Sequence, residues 1–162
     1  MRKDVNKKKG IEFVMVGLDA VAKDTLYKKE IKLGLLDDEM AQIIQIDSSM
    51  TPSVVQTHHE FGGMLLSLDP DSDNDPLVDT GGGLDDLEVL YNHRFGGIGV
   101  TGCEQKIENF DPPINVGTNI GMTLKVHETA SNPVGVKATV AIYFKRVKAS
   151  DVELAKILLK RR

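Results

Sequence analysis

The chain has one cysteine and no tryptophan. Cys103 has no partner for an intrachain disulfide and no companions for a cysteine zinc site. Such usage fits a reducing compartment, or a particle assembled inside a cell. The plain reading of Cys103 is a small residue near a strand end. Aromatic residues reach only 5%, which counts against a sugar-binding module that stacks rings on exposed indoles. No apolar run approaches the roughly 20 residues of a membrane helix, so no membrane span is expected. The start, MRKDVNKKKG, runs into a short alternating stretch and lacks the apolar segment of a signal peptide. No βαβ alternation is present, which disfavours a parallel sheet.

What is there suits one domain. The 162 residues are 41% hydrophobic, enough for a substantial core without disulfides. The net charge of −4 excludes a surface that binds nucleic acid all over. The charge is unevenly spread. Residues 1–10 carry Arg2, Lys3, Lys7, Lys8 and Lys9 against Asp4 alone, which reads as a basic N-terminal arm. Residues 69–88 carry seven aspartates and Glu88 with no lysine or arginine.

Period-two patterns dominate the rest. Met122, Leu124 and Val126 share one face of a strand; Val136, Ala138, Val140, Ile142 and Phe144 share one face of the next. A short turn joins these two segments, which reads as two neighbouring strands. Further strands are expected at 11–17, around Ile31, Leu33 and Leu35, and at 41–47, closed by Ser48, Ser49 and a Thr51-Pro52 turn. Others are expected at 54–61 and 63–69, with Gly62-Gly63 as a bend, and at 97–110, ended by Pro112-Pro113. The segment 84–95 suits a helix face through Leu84, Leu87 and Tyr91 and a strand face through Leu87, Val89 and Tyr91; its β-rich neighbours favour a strand. DPDSDNDPLVDTGGG (69–83) is an acidic loop by composition. At the end, Ser150 and Glu153 form a capping box, Asp151 opens and Lys160, Arg161 and Arg162 close a short helix. Its stripe of Val152, Ala155, Leu158 and Leu159 is too short to be stable alone and predicts a docking partner, as a subunit contact.

The expected fold is therefore all-β: an antiparallel jelly-roll β-sandwich of about eight strands with a short C-terminal helix. The expected organisation is an arm at 1–10, a sandwich at 11–149 and an amphipathic tail at 150–162.

Four histidines carry a hint of transition-metal chemistry. In a strand, His58 and Glu60 share a face, and with His93 or His127 they form the candidate ion site of a cupin-like enzyme or small-molecule binder. The spacing fits no such site well, so no catalytic residue is expected. Asp69, Asp71, Asp73 and Asp75 resemble the opening of a calcium loop. Asn74 stands where the central glycine belongs and Thr80 where the final glutamate belongs. Calcium is the one cofactor these residues suggest; a solvated acidic loop is the plainer expectation. GGG (81–83) and GGIG (96–99) lack the lysine of a phosphate loop. A β-sandwich adhesion or ligand-binding module is a third class.

FDPPINVGTNIGMTLKV, a turn, and VKATVAIYFKRVKASDVELAKILLKRR together resemble the end of single-jelly-roll coat proteins of icosahedral viruses. The shared pattern is a Pro-rich lead-in, a Gly-containing strand, a long last strand with aromatic residues near its end, and a short charged C-terminal segment. The resemblance implies a non-enzymatic capsid subunit that assembles with copies of itself into a virion, built in the host cytoplasm. It implies genome contact through Arg2, Lys3, Lys7, Lys8 and Lys9, although this arm is shorter and less basic than the Arg-rich arms of RNA-packaging coat proteins.

Overall fold

A computed structural model describes residues 10–22, 24–52, 60–77, 88–98, 103–128 and 136–150. The basic arm, His58 and His59, and the tail stripe of Val152, Ala155, Leu158 and Leu159 lie outside these residues. Eight strands run through them: β1 (Ile11–Ala20), β2 (Tyr27–Ile31), β3 (Glu39–Pro52), β4 (Glu60–Ser67), β5 (Val89–Ile98), β6 (Glu104–Val116), β7 (Ile120–Glu128) and β8 (Val136–Lys148). They form two four-stranded sheets, in the orders β1-β8-β3-β6 and β2-β7-β4-β5. The pairs β1/β8, β2/β7, β3/β6 and β4/β5 are all antiparallel and alternate between the sheets. This is one long antiparallel ribbon rolled up on itself, the winding of a jelly roll.

The core lies between the sheets. Ile43, Ile46 and Met50 of β3 and Val140, Ile142 and Phe144 of β8 meet Met64 and Leu66 of β4 and Met122, Leu124 and Val126 of β7. Each fully buried side chain of this size contributes about 1.5–3 kcal/mol. The alternation read in β7 and β8 is the alternation seen. They do not pair with each other: β7 bonds β2 and β4 in one sheet, and β8 bonds β1 and β3 in the other. The two segments are neighbours across the sandwich and not within a sheet.

Other boundaries move for identifiable reasons. β3 continues through Ser48 and Ser49 to Pro52 because β6 and β8 supply ladder partners to its far end. β2 stops at Ile31. Leu33 N–H is taken by Asn119 Oδ1 at 3.1 Å, Gly34 has φ +65°, and Arg146 binds the carbonyls of Leu33 and Gly34. Pro112 and Pro113 do not end β6. As an edge strand it tolerates prolines: residues 110–113 bulge opposite Ile44, where the register passes from Gln45↔Asn109 to Ile43↔Ile114. The Asp111-Pro112 peptide is cis. Residues 89–98 are strand, so the second half of the ambiguous segment is strand; Leu84 and Leu87 lie outside the described residues. Cys103 stands exposed just before β6.

Candidate functional site

The described part of the acidic loop, 69–77, is not free in solvent. Residues 69–77 fold back over the outer face of the β2-β7-β4-β5 sheet. A Cβ on Gly121 would lie 2.3 Å from the Asp69 carbonyl oxygen, and one on Gly63 would lie 3.0 Å from that of Pro76. Glycine at both places lets the loop backbone approach the sheet. Leu65 and Thr123 point to this outer face, yet they are buried. Ser72 and Pro76 are buried with them.

The aspartates hold the loop in place. Asp69 Oδ1 accepts the N–H of Asp71 at 3.0 Å, and Asp75 Oδ1 that of Leu77 at 2.8 Å, both Asx turns. Lys125 donates to Asp75 Oδ2 at 2.6 Å, and Lys28 pairs with Asp73. Arg94 donates to the carbonyls of Pro76 and Leu77 at 3.2 and 2.6 Å. Cations from β2, β5 and β7 thus supply the positive charge that the loop's own sequence lacks. Asp71 and Asp73 remain exposed. Among the described residues, no group of three or more histidine, cysteine, aspartate or glutamate side chains is placed to hold a metal.

His93 lies inside the sandwich, on the face that Met64 and Leu124 share. Its Nδ1 is 2.7 Å from Ser48 Oγ, which is 2.5 Å from the Tyr91 hydroxyl. Tyr91 donates to the Lys106 carbonyl at 3.2 Å. Tyr91 has one hydrogen, so with that hydrogen on Lys106 the Ser48 hydroxyl donates to Tyr91. Ser48 Oγ then accepts from Nδ1–H of His93. Nε2 faces Glu104 at 3.8 Å. Burial, then the Lys106 charge, lowers the His93 pKa from its ordinary value, and burial pushes the Tyr91 phenol up to about 12. Lys106 sits 4.7 Å over the Tyr91 ring and donates to the Asn92 carbonyl at 2.6 Å. The cluster ties β3 and β6 of one sheet to β5 of the other, and Ser48, Tyr91 and His93 are all at least nine-tenths buried.

His93 and His127, the two histidines among the described residues, are not brought to one point; His58 lies outside those residues. His127 is exposed, with Nδ1 2.6 Å from Asp24 Oδ1, on the side of the sheet away from His93. Phe61, not Glu60, is its register partner in β4.

The outer face of the β1-β8-β3-β6 sheet is bare among the described residues. Phe13 and Met15 project from β1 at one edge and Ile107 from β6 at the other, 39%, 61% and 62% exposed. Between them runs a groove of about 250 Å³, floored by Ala141 and Asp47 and flanked by Tyr143. Sequence reasoning missed this face. Its trace was in β1, where Ile11, Phe13 and Met15 are apolar at one parity and Val14, Val16 and Leu18 at the other.

No family model and no curated protein matches the chain. Among solved structures it is similar to tomato aspermy virus, at 11% identity over 86% of this chain and 80% of that one, TM-score 0.42. It is similar to the decameric BFDV capsid protein, at 12% identity over 84% and 98%, TM-score 0.39. A third similarity is to the disulfide-linked pili of Bacillus endospore appendages, at 10% identity over 93% and 98%, TM-score 0.38. Structures of viruses recur in this set, Desmodium yellow mottle tymovirus and mud crab tombus-like virus among them. With TM-scores this low, the function of the chain rests on its own geometry.

Proposed function

We propose that the protein is a structural subunit of capsid type, with no catalytic step, whose copies assemble through their surfaces into the shell of a virion. The observation that carries this reading is the difference between the two outer sheet faces. One is roofed by the loop at 69–77, whereas on the other Phe13, Met15 and Ile107 stand uncovered by any of the described residues. A rigid sandwich that exposes large apolar side chains on one broad face is built for contact with other protein. The rolled strand order agrees with the coat-protein resemblance of residues 110–162.

In this reading the tail stripe of Val152, Ala155, Leu158 and Leu159 binds a neighbouring subunit. Arg2, Lys3, Lys7, Lys8 and Lys9 touch genome phosphates inside the shell, and assembly takes place in the host cytoplasm. The aspartates serve the loop's own fold, and assembly needs no calcium. Light scattering with negative-stain imaging of the purified chain is the test. Discrete particles or large oligomers are expected; a monomer at every concentration tried overturns the proposal.

A further inference from the structure

The bare face has a regular layout. The ladders place Met15 beside Ala141, Ala141 beside Asp47, and Asp47 beside Ile107. One row thus crosses all four strands with an exposed apolar side chain at each end. The next row runs Phe13, Tyr143, Gln45, Asn109.

The charge on the face is sparse and balanced. Lys137 and Lys145 of β8 project on this side, against Asp19 of β1 and Asp47 of β3. Asp47 also accepts a hydrogen bond from Gln45 Nε2 at 2.6 Å. A face with no net charge has no field to draw in nucleic acid or a strongly charged peptide. It also does not repel a copy of itself, although the whole chain carries −4.

The size of the face fits as well. Four strands about 4.8 Å apart and nine residues at about 3.3 Å each span on the order of 600 Å² in projection. A stable interface takes roughly 800 Å² of accessible surface from each partner, and accessible area exceeds projected area. Two such faces also have matching twist, because they are the same sheet, and like sheets stack with strands nearly aligned.

We propose that the outer face of the β1-β8-β3-β6 sheet is the docking surface for a second copy of this chain, packed sheet against sheet, with Met15 and Ile107 as its apolar anchors. This rests on the reading of the protein as a self-assembling subunit and names the surface that performs it.

The test uses the full chain. Met15→Glu and Ile107→Glu, at opposite edges of the face, are compared with Val21→Glu and Leu36→Glu. The latter two sites are 65% and 67% exposed but lie outside the four strands of this sheet. All four side chains point largely into water, and a thermal melt checks that each variant keeps the wild-type fold. Sedimentation is expected to show at least a tenfold weaker self-association for the first two and less than a twofold change for the controls. If the wild type assembles and all four variants assemble like it, the face is not the contact, and the assembly reading stands without it. If the wild type is monomeric throughout, both readings fall.

Discussion

Lys125 Nζ and Asp75 Oδ2 lie 2.6 Å apart, although fifty residues separate them in the chain. Both side chains are roughly three-quarters buried, so water screens the pair less than it would at the surface. Breaking it leaves a partly buried lysine without its anion. Asp75→Asn keeps an oxygen for the Leu77 N–H and loses the charge. It is expected to cost about 1–2 kcal/mol. Hydrogen exchange should rise at residues 69–77 and stay unchanged in β3 and β8.

The loop's close approach to the sheet gives a second expectation. Gly121→Ala places a methyl 2.3 Å from the backbone oxygen of Asp69, which is fixed by its own turn, whereas the tightest contact at Gly63 is 3.0 Å. Gly121→Ala is expected to destabilise by roughly 1–3 kcal/mol and Gly63→Ala by less. Urea denaturation of the two variants checks the order.

The third concerns pH. The groups facing His93 are Ser48 from β3, Tyr91 from its own strand, and Glu104 and Lys106 from β6. Its pKa in the folded state lies below the ordinary value of 6.5. The unfolded chain therefore takes up this proton first. The contribution of His93 to stability is whole above about pH 6.5 and is lost as pH falls below that toward the folded pKa. His93→Asn, which keeps an N–H for Ser48, should flatten the stability profile on this acid side. Nitrogen NMR of the neutral ring should report the hydrogen on Nδ1.

The fourth concerns the tail. Leu158→Asp with Leu159→Asp removes the centre of the apolar stripe in the full chain. Assembly measured by light scattering should weaken, while the thermal midpoint of the β-body stays within about 2 °C of wild type. A matching fall in both would make the stripe part of the core.

Period two is legible wherever one side of a strand is wet. Lys137, Thr139 and Lys145 alternate with Val136, Ala138 and Phe144, so β8 could be read without a structure. β2 was misplaced because Leu33 is buried in the irregular segment after the strand and not in the strand itself, and both look alike in one dimension. Partner choice was illegible. Nothing local distinguishes a hairpin from the crossing between sheets that separates β7 from β8, because pairing is decided by strands a hundred residues away. The same distance hid the contacts of His93, whose nearest polar partner, Ser48, is forty-five positions earlier. The acidic loop was misjudged for a related reason. Its lack of lysine within 69–88 said nothing of Lys28 and Lys125, which the fold brings to it.

On the proposed assembly reading, the roof over one sheet sets the valence of the subunit. A sandwich with two open faces stacks without limit, each copy offering a fresh surface to the next, and grows into a fibre. Here Pro76, Ser72 and the backbone of Asp69 occupy one of those faces. Face-to-face contact through the other is used up after a single pairing. A closed shell of the proposed kind would then take its remaining contacts at the edges and ends of the pair, and the loop would turn growth sideways.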